Sequence, residues 1–244
     1  MFQFGEKRPV LFQLLLTAAA FFAAAVIAVM GGIAGLDTDL STSIARIITG
    51  AILLLLYRRA FAEEHPLRNI VTALPALLFA AWNLFYNLGS GAVFGGAAVI
   101  AKAMITAAAP ALFEEVLFRG IFIYDLRKNG RSDIQCLFTS AALFALIHIT
   151  NLLGGDIAGT ALQTVYAFVI GLVLAAVYLK NGSLLQVILI HFLTDLTNRI
   201  YIEPASKATV TQLVLFGLLL TAGSAYAIRL CSRKRNRPLH ADEA

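Results

Sequence analysis

Eight apolar runs dominate the 244-residue chain, at about 10–35, 41–57, 68–88, 97–124, 133–151, 157–179, 184–202 and 209–230. The hydrocarbon core of a bilayer is about 30 Å thick and takes roughly 20 helical residues to cross. A backbone inside it must satisfy its own hydrogen bonds, so unbroken apolar runs of this length become helices. The expected fold is all-α: a polytopic integral membrane protein with about eight transmembrane helices. Hydrophobic residues make up 59% of the chain, against about 45–50% in soluble domains. That leaves no composition for a soluble appendage, and residues 1–244 read as a single membrane domain. "MFQFGEKRPV" leads into the first run without a small-residue cleavage site, which reads as a first span rather than a removed signal peptide.

The breaks carry turn chemistry: "GLDTD", "EEHP", "NLGSG", "RKNGRSD", "NLLGGD", "KNGS" and "EPASK". The run 157–179 is rich in Gly, Ala and Thr, which suits close helix packing in lipid. With a cytoplasmic N-terminus, the inner loops collect Lys7, Arg8, Arg58, Arg59, Arg68, Arg127, Lys128, Arg131, Lys180 and the tail residues Arg229, Arg233, Lys234, Arg235 and Arg237. The outer loops hold Arg199 and Lys207. This asymmetry places both termini in the cytoplasm. It accounts for the net charge of +5 through topology and anionic lipid, without nucleic acid. Arg46 and Lys102 lie near outer helix ends and can snorkel to the interface. Cys136 and Cys231 have neither metal-type nor redox-type spacing and read as reduced structural thiols.

One run breaks the apolar rule. "APALFEEVLFRGIFIYD", residues 109–125, carries Glu114, Glu115 and Arg119. A charged side chain at mid-bilayer costs about 2.5–3.5 kcal/mol on insertion scales. Glu115 and Arg119 stand at i and i+4 and can pair, which leaves a second carboxylate to find a partner, a proton or water. Other runs offer His148 in "FALIHITN", and His191 with Asp195 in "ILIHFLTDL". His65 and His240 fall in a loop and the tail. Six ionisable side chains on three spans point to a functional site.

A carboxylate and an imidazole aimed at one water make a general base for hydrolysis. A second imidazole with a polar neighbour can stabilise the developing oxyanion. Asp195 could orient His191 or, when protonated, donate to that oxyanion. A Glu and two His could also hold zinc, and Glu114, His148 and His191 are the set for it. The H-E-x-x-H pattern is absent, however. So is G-x-S-x-G, and water activation is favoured over an acyl-enzyme.

With these residues the chain resembles the CAAX protease and bacteriocin-processing (CPBP, or Abi) family of intramembrane endopeptidases. Its pattern runs E-E-x-x-x-R, F-x-x-x-H, then H-x-x-x-N or D. Here "EEVLFR" supplies Glu114, Glu115 and Arg119, "FALIH" supplies Phe144 and His148, and "HFLTD" supplies His191 and Asp195. The resemblance covers about residues 97–202, taken as the catalytic core. It implies that Glu114 and His148 activate water, His191 and Asp195 serve the oxyanion, and Glu115 and Arg119 fix the helix and tune Glu114. Eukaryotic members have Asn where this chain has Asp195. The family has been described both as metalloproteases and as metal-independent glutamic proteases, so zinc or no cofactor remains open.

The implied partners are the bilayer and a peptide or membrane-anchored protein substrate, prenylated or of leader type. It would be cut near the cytoplasmic side of a bacterial inner or plasma membrane. The alternatives are a non-catalytic scaffold of the same fold, a bacteriocin self-immunity protein, or a proton-coupled transporter. The absence of an internal repeat weighs against the last. One inconsistency stands at this level. Glu114 lies about 15 Å from the inner end of its run and His148 about 22 Å from residue 133. Either the run 133–151 starts below the membrane surface, or the chain kinks near Pro110.

Overall fold

A computed structural model describes residues 8–58, 66–67, 69–203 and 209–232. The chain runs through α1 (Pro9–Ile33), α2 (Thr38–Leu56), two short 3-10 turns (Ile70–Thr72 and Leu74–Leu77) leading into α3 (Leu78–Gly89), and strand β1 (Val93–Phe94). It continues with α4 (Ala97–Glu115), a π-helical turn (Val116–Ile121), α5 (Phe122–Lys128), α6 (Asp133–Ile147) and a 3-10 segment (His148–Gly154). The remainder is α7 (Ile157–Asn181), α8 (Leu184–Arg199), β2 (Tyr201–Glu203) and α9 (Val210–Ser232). The all-α polytopic class is what the structure shows.

Among the described residues, seven helical stretches are long and apolar enough to cross a membrane. The seventh run, 184–202, forms instead the 16-residue α8, about 24 Å long and short of the hydrocarbon thickness. Its C-terminal half is polar, and the chain leaves the helix at Arg199 to enter β2. The run 97–124 extends instead to Lys128, since α4, the π turn and α5 form one 32-residue helical stretch.

The turn residues act as their chemistry dictates. Gly182 adopts φ +68° to close α7, and the Ser183 side chain accepts from Gln186 N to open α8. Ser132 and Gln135 form a reciprocal capping box at the start of α6, and Arg127 pairs with Asp133 across the preceding turn. Asp37 caps α2 by accepting from Leu40 N.

The core lies where α4, the π turn and α5 pass between α6, α7 and α8. Val116, Leu117, Phe118, Ile121 and Phe122 are buried in one apolar cluster with residues of α6 and α7, while Phe113 meets Phe21 of α1 edge-to-face at 5.0 Å and backs onto Gly50 of α2. Gly171 lets α7 approach α6 closely, since a Cβ there would meet Ala141 Cα at 3.2 Å. This is the tight contact expected of the Gly- and Ala-rich run. β1 and β2 pair antiparallel, with Phe94 opposite Tyr201, and tie the approach to α4 to the exit from α8. Cys136 and Cys231 are free and buried. Lys7, Arg59, Arg68, Lys207, the tail cations beyond Arg229, His65 and His240 lie outside the described residues. The bundle end bearing Arg127, Lys128, Arg131 and Lys180 is the cation-rich one among those described.

Candidate active site

The π turn decides how the charged stretch sits. A π turn leaves carbonyls misaligned with their usual helical donors, and two here take side-chain donors from neighbouring helices. Gln13 Nε2 of α1 donates to Leu117 O at 3.1 Å, and Ser140 Oγ of α6 donates to Phe118 O at 2.9 Å. Just before the turn stand Glu114 and Glu115, and within it Arg119. Glu115 and Arg119 are 0% exposed and Glu114 is 6% exposed, so Arg119 does not snorkel.

Glu115 Oε1 is the junction of the site. It accepts from Arg119 Nη1 at 2.8 Å and from His191 Nδ1 at 2.8 Å. This joins the π turn to α8 through one carboxylate oxygen. Arg119 also donates from Nη2 to Gly171 O of α7 at 3.2 Å, and its guanidinium lies 4.2 Å above the centre of the Phe144 ring. The opposite charge, the backbone carbonyl and the aromatic face together compensate a guanidinium removed from water. Glu115 Oε2 and Arg119 Nε have no hydrogen-bond partner among the described residues.

Phe144 organises the two histidines. Its ring stands edge-to-face with His148 at 5.1 Å and with His191 at 5.8 Å. His148 closes α6 and is half-buried, with Nδ1 2.8 Å from Phe144 O. A carbonyl oxygen only accepts, so Nδ1 carries the proton and the neutral ring keeps its lone pair on Nε2. α8 itself is held by α3, where Asn83 Nδ2 donates to Thr194 O at 2.9 Å and Asn87 Nδ2 to Asn198 Oδ1 at 3.1 Å.

Asp195 lies at the edge of the ionic junction, without a hydrogen bond to it. Its Oδ1 is 3.8 Å from His191 Nε2, beyond hydrogen-bond reach, and its Oδ2 accepts from Arg199 Nη2 at 3.3 Å. Glu114 makes no hydrogen bond among the described residues. The conditional zinc set of Glu114, His148 and His191 is not assembled. Among the described residues no group of three His, Cys, Asp or Glu is placed to hold a metal ion. The depth inconsistency disappears because the helix continues to Lys128. Glu114 then lies about 21 Å from that end, close to the 22 Å of His148 from Asp133. The site sits near the middle of the long stretch, deeper than the cytoplasmic-side position the shorter helix implied.

The sequence did not reveal the α3 asparagines, the Gly171 carbonyl or the π turn. Phe144 was visible only as a motif letter. A cleft of about 440 Å³ opens further along α2, α4 and α8, lined by residues including Arg46, Lys102, Asn198, Arg199 and Tyr201, and it too lacks a sequence signature.

Residues 96–197 match the family model described as type II CAAX prenyl endopeptidase Rce1-like. The match contains Glu114, Glu115, Arg119, Phe144, His148, Gly171, His191 and Asp195, while the supporting Gln13, Asn83, Asn87, Asn198 and Arg199 fall outside it. The match suggests a CAAX-type intramembrane protease at the level of the family. Comparison with curated proteins and with solved structures yields no match.

Proposed function

Taking the Rce1-like character of residues 96–197 as the premise, we propose that this chain is an intramembrane endopeptidase. It hydrolyses a peptide bond of a prenylated or leader-type substrate using water activated by Glu114 and His148. The observation that carries the reading is the saturation of Glu115 Oε1 by Arg119 and His191, beside a buried Glu114 with no hydrogen bond among the described residues. Glu115 is committed to structure, and Glu114 is left to hold a water.

In the proposed reaction Glu114 and His148 Nε2 accept from a water whose oxygen attacks the scissile carbonyl carbon. The proton passes to this pair and the carbonyl oxygen gains charge. His191, protonated on both nitrogens, turns Nε2–H to that oxyanion, and the Glu115 carboxylate at Nδ1 balances the imidazolium. The intermediate collapses, the carbon–nitrogen bond breaks, and the stored proton goes to the leaving amine. Asp195 steers Arg199, and its Oδ1 stands 3.8 Å from the same His191 Nε2, on the side where the oxyanion forms. By the positive-inside rule the cation-rich end and both termini face the cytoplasm, in a multi-pass cell membrane.

The test is purified protein in detergent against a farnesylated CAAX-ended peptide and a panel of leader peptides. Loss of the general base should reduce kcat by about 10²–10⁴-fold in Glu114→Gln and His148→Ala. Cleavage by both variants at the wild-type rate would remove the assignment.

A further inference from the structure

The cleft beside the site has a charge arrangement that the hydrolytic reading does not use. Three cations line it, and they are not equivalent. Lys102 is neutralised by Asp37 at 3.1 Å and Asp39 at 2.8 Å. Arg199 is shared with Asp195. Arg46, half-buried on the cleft wall, has no ion pair or hydrogen bond among the described residues. Tyr201, also on the wall, has a hydroxyl without a partner among them. Burial pushes that phenol up from its ordinary range, so it stays a donor. A half-buried guanidinium without a counter-charge, facing a cleft with a spare hydroxyl, is suited to an incoming anion of carboxylate geometry.

Helix geometry places this cleft in line with the reacting groups. On α4, Ala103 of the cleft wall and Glu114 are eleven residues apart, which returns to about the same helix face. On α8, Asn198 and His191 are seven apart and again share a face to within about 20°. Arg199 lies about 12 Å along α8 from His191. An extended peptide covers that distance in about three to four residues.

We propose that this cleft binds the C-terminal carboxylate of the substrate peptide, with Arg46 as its counter-charge and Arg199 and Tyr201 as further donors. The enzyme would then count the scissile bond from the chain end. This rests on the endopeptidase reading, because a protease substrate supplies a carboxylate at a set distance from the bond to be cut. Arg46 is a specificity-determining residue that does not touch the reacting atoms.

The test compares a farnesylated CAAX-ended octapeptide as free acid and as C-terminal amide. Binding to the full chain is measured by thermophoresis, in nanodiscs of zwitterionic and of anionic lipid, alongside cleavage. The acid should bind about tenfold or more tightly, the loss expected for one charge-assisted hydrogen bond. In cleavage the difference should lie in KM, with kcat little changed. Arg46→Gln should reduce the preference to within twofold, and Arg46→Lys should keep part of it. Equal binding of acid and amide overturns the proposal, as does a preference unchanged in Arg46→Gln. Binding that follows the lipid charge instead of the peptide terminus also overturns it. If the preference follows Arg46 but no Glu114-dependent cleavage occurs, the carboxylate site stands and the endopeptidase reading falls.

Discussion

Replacing Arg119 with methionine keeps much of the side-chain volume and removes the charge. The Glu115 carboxylate is then left 0% exposed with His191 as its one partner. Breaking a buried ion pair from one side costs about 3–5 kcal/mol, since the remaining charge is uncompensated. The contact with Phe144 at 4.2 Å is lost as well, but the two terms are not additive. For a chain of this size each kcal/mol shifts Tm by about 2–4 °C, so a fall of about 10 °C is expected. The two cysteines, Cys136 and Cys231, are free and buried, so a thiol-reactive fluorophore reports unfolding in detergent without an introduced cysteine. The decisive arm is the double variant Arg119→Met with Glu115→Gln. Neutralising the stranded carboxylate should recover more than half of the loss, because a neutral pair in a packed site costs less than half an ion pair. If Arg119→Met melts within about 1 °C of wild type, or the double variant is no more stable than the single one, the ionic junction is not what holds α8 to the π turn.

Two further outcomes follow from the same contacts. Gly171→Ala would bring a Cβ to 3.2 Å from Ala141 Cα and 3.3 Å from Phe144 Cδ1. It should cost about 1–3 kcal/mol by overpacking and, by displacing Phe144, lower kcat as well as Tm; an unchanged kcat would show that Phe144 does not position the histidines. Asp37 is held below the usual carboxylate range by its bond to the Lys102 ammonium and then by the Leu40 N–H. A depressed folded value means the contribution is present above the unfolded pKa of about 3.9 and is lost as pH falls through the folded value. The Tm gap between wild type and Asp37→Asn should therefore be steady at neutral pH and close below about pH 4; a gap that persists at lower pH refutes this.

What the sequence carried well was whatever depends on local spacing. The apolar runs determined the helical membrane class, since a single unbroken apolar run of this length satisfies its own backbone in hydrocarbon as a helix. Glu115 and Arg119, four apart, do pair. "KNGS" and "RKNGRSD" terminate and start helices through Gly182, Ser183 and Ser132. The ordered motifs at Glu114, His148 and His191 pointed to the family that matches 96–197.

Tertiary structure decided what depends on how one helix is rotated against another. His191 and Asp195 share a face of α8 by sequence, yet His191 takes its hydrogen bond from α8 to Glu115 and leaves Asp195 to Arg199. The π turn forms where Gln13 and Ser140, remote in sequence, supply donors for its carbonyls, so no local window could show it. Arg46 and Arg199 are 153 positions apart and meet on one cleft because α2, α4 and α8 pack together. Spacing along a chain specifies which side chains share a helix face. Which face meets which is a property of the packed bundle, set by volumes such as the missing Cβ of Gly171 and by polar groups that must find one another once water is excluded.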